Sequence, residues 1–325
     1  MGWPISFPDV LDARERIRPH LPPTPLRSYA PLDAAVGGGI RVLVKHENHC
    51  PTGAFKARNG LAVMTSLTAE ERRRGVVAAT RGNHGAGLAW AGRIVGVPVT
   101  VCVPVGNNPE KNEAMRGFGA ELIEEGRDYD EAVEVADRLV EERGRRLVHS
   151  SKEPQVLAGA ATLSLEVIEQ ASDLDAMVIA VGGGSQAVGA MTVARERRPG
   201  LKVYGVQAAG ASAIHDSWRA GRVLETPSAA TFADGIATRK PPALTFPALR
   251  DGLAGFVTVD DGQIAAALRL LLRTTHNLAE GAGAAGLAGL FALREELAGK
   301  TVAVVISGGN IDQDTLRRVL NREIA

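Results

Sequence analysis

The sequence predicts an α/β protein whose sheets are largely parallel. Short apolar segments rich in Val, Ile and Leu alternate with helical patterns, and glycine clusters follow several of these segments. In addition, 45% of the 325 residues are hydrophobic, which is enough for a sizeable core. Strands that alternate with helices are joined by crossovers, which make neighbouring strands parallel. Ligands of such folds bind beyond the carboxyl ends of the strands, so we expect the glycine clusters to converge on one site.

The apolar segments predict the strands in chain order. Each segment is short and contains the β-branched or aliphatic residues that favour an extended, buried backbone. The predicted strands span 42–44, 76–79, 99–103, 122–123, 146–149, 177–181, 203–206, 256–259 and 302–306.

Capping residues predict where several helices begin and end. Thr68 with Glu71 indicates a capping box, in which each side chain accepts a hydrogen bond from the backbone of the other residue. Asp128, followed three residues later by Glu131, indicates an acidic equivalent, and Gly144 is typical of a helix end. Two further helices are predicted over 264–276 and 284–297.

Composition and charge exclude several functional classes. The 37 basic residues balance the 37 acidic ones, so the chain lacks the basic surface typical of nucleic-acid binders. Cys50 and Cys102 are too few for a disulfide framework and are typical of a reducing compartment. No segment approaches the ~20 apolar residues of a membrane span, and the N-terminal residues do not resemble a signal peptide. We therefore expect a cytoplasmic protein that binds neither nucleic acid nor membrane.

One glycine cluster, Gly182, Gly183, Gly184 and Ser185, follows the strand 177–181 and precedes a helix expected to start near Gln186. Backbone N–H groups of such a turn can surround an anion, and the helix N-terminus adds partial positive charge, which predicts a phosphate site. The spacing matches neither a nucleotide P-loop nor a dinucleotide fingerprint, which argues against a nicotinamide-dependent oxidoreductase. A tight turn without a ligand is the alternative.

Lys56 is the candidate for covalent chemistry. It lies in a turn that opens a helix, between Phe55 and Ala57, in a chain with only seven lysines. An amine that apolar neighbours desolvate has a lowered pKa and becomes competent to form a Schiff base. A surface lysine at the start of a helix is the alternative.

Two further turns bring polar side chains to strand ends. Ser307 would place a hydroxyl group beyond the strand 302–306; a cap of the last helix is the other interpretation, and the two are compatible. Asn83 and His84 lie in a glycine-bounded turn whose backbone N–H groups could hold a carboxylate. For the His84 side chain alone, we favour a packed, structural position.

Together these motifs resemble the fold type II pyridoxal-phosphate (PLP) enzymes, in the threonine/serine dehydratase branch that includes serine racemase. The segment Lys45 to Arg58 is similar to the family's cofactor-lysine segment, and the match runs in family order over nearly the whole chain. The other matching motifs are Gly82-Asn83-His84-Gly85, Gly182 to Ser185, Ala233-Asp234-Gly235, Glu280-Gly281-Ala282-Gly283 and Ser307-Gly308-Gly309-Asn310.

The resemblance implies a tryptophan synthase beta-like fold with two parallel-sheet α/β domains and the cofactor between them. Residues 1–69 and 153–325 would form the large PLP-binding domain, and residues 70–152 the small mobile domain. The family also leads us to expect a homodimer.

The resemblance further implies roles for individual residues. Lys56 would hold pyridoxal 5'-phosphate in a Schiff base and later remove the Cα proton. Phe55 would back the cofactor ring, Asn83 would bind its 3-hydroxyl group, and Ser307 would face its nitrogen. The other implied cofactor contacts are Gly182, Gly183, Gly184, Ser185, Gly235 and Glu280. The implied substrate-binding residues are Thr80, Arg81, Gly82, Asn83 and His84.

The activity implied is that of an ammonia-lyase that dehydrates a 3-hydroxy amino acid of the threonine/serine or 3-hydroxyaspartate type. β-Elimination would yield a 2-oxo acid and ammonia in amino acid catabolism. A β-replacement enzyme of the cysteine synthase type is the alternative, but such relatives typically carry Thr-Ser-Gly-Asn-Thr where this chain has Thr-Arg-Gly-Asn-His. Retention of Lys56, Asn83 and Ser307 together argues against a non-catalytic scaffold.

This chain departs from the family pattern at Arg81, where dehydratases usually have a small residue and serine racemases a serine that acts as a base. A guanidinium cannot accept a proton at working pH, so we do not expect racemisation. Arg81 could bind a second substrate carboxylate bidentately, which makes 3-hydroxyaspartate a candidate substrate. A salt bridge on the protein's own surface is the alternative.

A metal site is not expected. Residues 207–213 lack the two carboxylates with which many relatives hold a divalent cation, and hard cations prefer carboxylate ligands. His46 and His49 have no acidic or thiolate partners at the spacing of a metal site.

Overall fold

The computed structural model describes residues 3–324. Its strands, numbered in chain order, are β1 (Leu26–Ser28), β2 (Arg41–His46), β3 (Val76–Ala79), β4 (Val99–Val103), β5 (Glu121–Glu124), β6 (Arg146–Leu147), β7 (Ala176–Ala180), β8 (Lys202–Ala208), β9 (Gly255–Val259) and β10 (Thr301–Ile306).

The α-helices are numbered in the same way. They are α1 (Phe7–Ile17), α2 (Ala30–Val36), α3 (Lys56–Ser66), α4 (Ala69–Arg74), α5 (Asn83–Val95), α6 (Pro109–Gly117), α7 (Tyr129–Arg143), α8 (Pro154–Gln170), α9 (Ser185–Arg197), α10 (Ala213–Ala220), α11 (Phe246–Gly252), α12 (Asp261–Thr275), α13 (Gly281–Ala292) and α14 (Gln313–Leu320).

The strands form two separate sheets. The larger has six strands in the order β1-β2-β10-β7-β8-β9, and the smaller has four in the order β5-β4-β3-β6. All pairings within them are parallel except that of β1 with β2, which is antiparallel. Helices cover both faces of the larger sheet: α13 packs on β7 and β10, and α9 packs on β7 and β8. The α/β class with parallel sheets is thus confirmed.

The predicted strands are all present, with ends that differ by two residues at most. β1 was not predicted because its residues, Leu-Arg-Ser, are mostly exposed and show no apolar run. Among residues 3–324, no helix has the length and apolarity needed to cross a bilayer.

The predicted helix caps are largely confirmed. Thr68 and Glu71 form both hydrogen bonds of a capping box, and Gly144 ends α7 in a left-handed conformation. The Asp128 side chain accepts from the backbone N–H of Glu131, which makes the first half of the expected box. The other half is absent because the Glu131 carboxylate binds the backbone and side chain of Arg127 instead.

Two predictions about the C-terminal helices were wrong. α13 begins at Gly281 rather than at residue 284, and it ends at Ala292 rather than at 297. Its glycine-rich first turn packs where a side chain would not fit: a Cβ at Gly283 would lie 2.4 Å from the carbonyl oxygen of Gly308. Ser307 does not cap the last helix, because the Asp312 side chain does so by accepting from the N–H of Thr315.

The two sheets are linked through α3 and α5, which cross in direct backbone contact. A Cβ at Gly87 would lie 2.3 Å from the carbonyl oxygen of Lys56, and one at Gly60 would lie 2.2 Å from that of Gly87. These distances are far below van der Waals contact, so only glycine allows the crossing. Because Lys56 and Asn83 begin the two helices, the crossing fixes their relative position.

Candidate active site

The turn that carries Lys56 is held against the turn that follows β10. The N–H of Phe55 donates to the carbonyl of Ser307 at 2.9 Å, and the N–H of Gly309 donates to the carbonyl of Gly53 at 2.8 Å. Gly53 has φ of +68°, which favours glycine, and a Cβ there would collide with the side chain of Asn310. The structure therefore brings the Lys56 and Ser307 motifs together, although they are far apart in sequence.

Lys56 is half-buried and its side chain lies over Phe55, with Nζ 4.5 Å from the ring centroid. Among the described residues, its ammonium has no hydrogen-bond or salt-bridge partner. Burial lowers the pKa of Lys56 to about 8, although the Glu280 carboxylate opposes this shift. Such an amine is more readily available as a nucleophile than an ordinary lysine, because it loses its proton at a lower pH.

The predicted phosphate turn lies where β7 leads into α9. Gly184 has φ of +84°, and Cβ atoms at Gly182 and Gly183 would lie 2.2 Å from the Gly235 oxygen and 2.6 Å from the Ser151 Cβ. α9 begins at Ser185, one residue earlier than expected, and no side chain caps its first turn. The first N–H groups of a helix have no helical acceptor, so this turn offers donors that suit an anionic phosphate.

Asn83 connects the two sides of the site. Its Nδ2 donates to Oε1 of Glu280 at 2.7 Å, and its Oδ1 accepts from Nδ2 of Asn310 at 2.8 Å. The same Asn310 nitrogen donates to the carbonyl of Thr52 at 2.8 Å. One N–H of the Asn83 amide remains for a ligand such as a ring hydroxyl group. No role for Asn310 was predicted, although it ends the motif Ser307-Gly308-Gly309-Asn310.

Glu280 is partly buried and immediately precedes α13. Burial raises the pKa of its carboxyl group, while the Lys111 ammonium and the hydrogen bond from Asn83 act in the opposite direction. Its backbone N–H donates to the carbonyl of Gly308 at 3.0 Å, which ties α13 to the Ser307 turn. Gly235 packs against the start of α13, because a Cβ at Gly235 would lie 2.8 Å from the Ala282 side chain.

The turn after β3 contains the expected substrate-binding residues. Thr80 is buried and its Oγ1 accepts from the N–H of Gly82 at 3.2 Å. The His84 side chain has the packed, structural position that was predicted, with Nε2 3.0 Å from the carbonyl oxygen of Val148. Burial lowers the pKa of His84 to about 3. The imidazole is therefore neutral, and Nε2 carries the proton that it donates to this carbonyl. Any carboxylate binding at this turn would rest on backbone N–H groups rather than on the His84 ring.

Arg81 is exposed at the edge of the same turn. The alternative of a surface salt bridge is not found, since no carboxylate of residues 3–324 lies within 4.0 Å of its guanidinium. Burial raises the pKa of the Tyr129 hydroxyl group, and the positive charge of Arg81 opposes this shift. The guanidinium is thus free to meet a charged group from outside the chain.

The residues considered for a metal have other partners. His46 is buried, its Nε2 lies 2.9 Å from the Tyr29 hydroxyl, and its ring stacks on His49 with centroids 5.0 Å apart. Oε1 of Gln207 accepts from the N–H groups of Ile214 and His215. Within residues 3–324, no group of three or more His, Cys, Asp or Glu side chains has the geometry to hold a metal ion.

A buried ionic cluster lies under the first turn of α3. Arg58 binds Glu47 through Nε at 2.7 Å and Glu166 through NH1 at 2.6 Å. Lys45 binds the same Glu166 at 2.6 Å, and all four side chains are almost completely buried. Arg58 is two residues from Lys56, so the cluster anchors the helix that carries the reactive amine. The sequence indicated none of these contacts, because their partners are up to 121 residues apart.

Two ion pairs join residues on the side of the smaller sheet to residues on the side of the larger sheet. Lys111 in α6 binds Asp234 at 2.5 Å, and Asp130 in α7 binds Arg239 at 2.6 Å. The Lys111 side chain also lies against Gly82, since a Cβ there would be 3.0 Å from its Cδ. Neither pair was predicted from the sequence.

These features fit PLP: a lysine without a partner among residues 3–324, a turn with free donors for a phosphate, a free amide N–H on Asn83 and a neutral Ser307 hydroxyl lie in turns that are linked by direct contacts. A profile of the family described as pyridoxal-phosphate dependent enzyme matches residues 17–308.

Individual relatives agree with this match. The chain is 42% identical over 285 residues to an L-threonine ammonia-lyase of Geobacter sulfurreducens, which covers 87% of this chain and 71% of that protein. It is 31% identical to an L-threo-3-hydroxyaspartate ammonia-lyase of Saccharomyces cerevisiae, over 94% of both proteins. The structure of maize serine racemase superimposes with a TM-score of 0.93 at 28% identity, over 99% of this chain and 98% of the racemase. The chain therefore belongs to the fold type II pyridoxal-phosphate-dependent enzymes, in the threonine/serine dehydratase branch, and is a PLP-dependent ammonia-lyase.

Proposed function

We propose that the chain dehydrates a small 3-hydroxy amino acid to a 2-oxo acid and ammonia, with Lys56 as its catalytic base. The observation that carries this proposal is the Lys56 amine, which is half-buried, has a pKa of about 8 and lacks a partner in the described part of the chain. Bound PLP supplies an electron sink that stabilises negative charge at the substrate Cα. The lyase names of the relatives support the same reaction.

In this proposal each residue has a defined task. Lys56 holds the cofactor and, once released, accepts the Cα proton at Nζ. Residues 182–185 bind the phosphate through backbone N–H groups, and Asn83 orients the ring from one side. Ser307 offers a neutral hydroxyl group to the ring nitrogen, so it does not stabilise positive charge there, which favours prompt loss of the β-hydroxyl group.

The turn 80–84 would bind the substrate α-carboxylate through its backbone. It lies at the end of β3 in the smaller sheet, whose strands all fall within residues 70–152. We propose these residues as the small domain and 1–69 with 153–325 as the large domain. Closure of the small domain would exclude water from the reactive enamine product.

A dicarboxylic substrate is a second candidate, which the exposed and unpaired Arg81 guanidinium supports. A bidentate bond from Arg81 to a second carboxylate would favour 3-hydroxyaspartate over threonine or serine. The yeast relative is named for that substrate, whereas the Geobacter relative is named for L-threonine.

The experiment is an assay of 2-oxo acid and ammonia release from a panel of 3-hydroxy amino acids, with all stereoisomers and added PLP. Arg81→Ala is compared with Arg93→Ala, an arginine of α5 outside the site. If Arg81 selects a dicarboxylic substrate, only its replacement reduces kcat/KM, and far more for 3-hydroxyaspartate than for threonine. Equal losses on both substrates would refute that role for Arg81, and no product from any substrate would refute the dehydratase proposal.

The same proposal includes a cytoplasmic, catabolic homodimer that acts on a free amino acid. The two free, buried cysteines support a reducing compartment, and the dimer is expected from the family. Sedimentation equilibrium of the purified protein tests the dimer, and a monomer mass would overturn it.

A further inference from the structure

The ion pair between Lys111 and Asp234 bridges the proposed small and large domains directly beside the site. Lys111 lies in the first turn of α6, and Asp234 begins the short turn 234–236 of the proposed large domain. Nζ and Oδ2 are 2.5 Å apart, and the Lys111 side chain is only 17% exposed while Asp234 is 59% exposed. The lysine is thus the inner partner of the pair.

Lys111 also lines a cavity between the domains. Glu280, Asp234, Asp312, Gly235 and Phe232 line the same cavity. Three charged groups act on the Glu280 carboxyl group: Lys111 from α6, Asp234 from the turn 234–236, and Lys56 from α3. Asp312, which precedes α14, faces the cavity and is itself affected by Lys111.

The charge of Glu280 determines what Asn83 can do. Nδ2 of Asn83 donates to Glu280 at 2.7 Å, while its Oδ1 is already taken by Asn310. A carboxylate makes a charge-assisted bond with this N–H, whereas a protonated carboxyl group makes a weaker one. The orientation of the Asn83 amide is therefore best fixed when Glu280 is ionised.

We propose that Lys111 is a positioning residue: its ammonium group, which lines the same cavity as Glu280, keeps Glu280 as the carboxylate that orients Asn83. The ion pair between the two proposed domains and the electrostatics of the site are thereby coupled through one side chain. Asp234, the partner of Lys111, adds negative charge near Glu280 and so opposes the effect of Lys111. The inference rests on the proposed function only in that Asn83 acts at the reacting site.

The test uses two substitutions that break the same bridge with opposite electrostatic effects. Lys111→Met removes a positive charge near Glu280 and so raises the pKa of its carboxyl group. Asp234→Asn removes a negative charge and so lowers it. Asp130→Asn is the matched control, because it makes the same chemical change and breaks the other interdomain pair, with Arg239.

Two readouts are compared for each protein. The first is a ¹³C NMR titration of glutamate side-chain carboxyl groups, with the Glu280 signal assigned by Glu280→Gln, in the holoenzyme without substrate and in the cofactor-free protein. The second is the pH profile of kcat on the best substrate. Circular dichroism confirms that each variant is folded.

In Lys111→Met, the Glu280 titration and the acid limb of kcat should both move to higher pH, because activity needs the ionised carboxylate. Both should move to lower pH in Asp234→Asn, stay in place in Asp130→Asn, and return toward the wild type in Lys111→Arg. Shifts of the same sign in the first two variants, no shifts, or a titration shift without a kcat shift would overturn the proposal. The titration needs no turnover, so a wild-type enzyme that released no 2-oxo acid would refute the proposed function separately.

Discussion

The Lys56 ammonium lies half-buried over the Phe55 ring and has no hydrogen-bond partner within residues 3–324, and burial lowers its pKa to about 8. A charged amine that loses water without gaining a counter-ion becomes easier to deprotonate. The buried Arg58 two residues later shows the opposite case, since Glu47 and Glu166 raise its pKa above the ordinary value against the effect of burial. Neighbouring residues of one helix therefore provide a reactive amine and a permanent charge.

Replacing Lys56 with Ala should abolish 2-oxo acid release, even with excess PLP, because no other amine occupies its place over Phe55. Borohydride reduction followed by mass spectrometry should find covalently attached cofactor in the wild type but none in Lys56→Ala. Lys202→Ala, a change at an exposed lysine, should retain both properties. Full activity of Lys56→Ala would exclude Lys56 as the base.

The pKa of Lys56 predicts how cofactor loading depends on pH. Only the uncharged amine attacks an aldehyde, so the rate of covalent loading of the cofactor-free protein should rise with pH and level off above about 8. Stopped-flow absorbance at constant ionic strength measures this rate. A rate that continued to rise up to the ordinary lysine pKa of 10.5 would contradict the effect of burial.

The buried cluster at Arg58 should be essential for folding stability. Arg58→Met leaves Glu47 and part of Glu166 unpaired in the interior, so it should reduce the free energy of unfolding by about 3–5 kcal/mol. Arg41→Met breaks an exposed pair with Asp173, also 2.7 Å long, and should cost about 0–1 kcal/mol. Urea unfolding measures both, and equal effects would contradict the difference in burial.

At the scale of elements, α3 and α5 are positioned by contact between their backbones. A Cβ at Gly87 would be 2.3 Å from the Lys56 carbonyl oxygen, so the helices must separate to admit it. Their separation would also move Asn83 away from Lys56, since these residues begin the two helices. Stability and cofactor binding therefore depend on the same crossing.

Gly87→Ala should destabilise the protein by about 1–3 kcal/mol and weaken PLP binding, because it overpacks the crossing. Gly117→Ala, at the end of α6 where nothing lies within 4 Å of the new Cβ, should be neutral or slightly stabilising. Urea unfolding and cofactor titration provide the measurements. Unchanged PLP affinity in Gly87→Ala would contradict a role for the crossing in positioning the site.

The elements were more predictable from the sequence than their contacts. Strands such as β7 and β10 are almost wholly apolar, and the turns that follow them contain glycine, so both strand and motif positions followed from local patterns. Asn310, Lys111 and the Arg58 cluster were missed because their partners lie far away in sequence. Nothing in the residues next to Lys111 indicates that it reaches Asp234, 123 residues later.

At the scale of the whole molecule, the proposed site lies between two sheets that different parts of the chain build. The larger sheet provides the phosphate turn and the Ser307 turn, and the smaller provides the turn 80–84. Lys111–Asp234 and Asp130–Arg239 connect the two sides across this space. Substrate bound in the space therefore contacts both bodies and should favour their closed arrangement.

Binding of an amino acid that cannot eliminate water, such as alanine, should slow hydrogen exchange on both sides of this space. The expected segments are 80–84 and 233–240, because closure reduces solvent access to them. Residues 193–201, on the far side of the larger sheet, should exchange at an unchanged rate. Mass spectrometry of the holoenzyme with and without alanine measures the effect, and no local slowing would contradict closure.

The most direct test of the central claim is the stoichiometry of product release by the holoenzyme from its best 3-hydroxy amino acid, with and without added sulfide. The account predicts one 2-oxo acid and one ammonia for each substrate consumed, complete dependence on Lys56, and no effect of sulfide on this ratio. Formation of a sulfur-containing amino acid in place of ammonia would contradict it and identify a β-replacement enzyme.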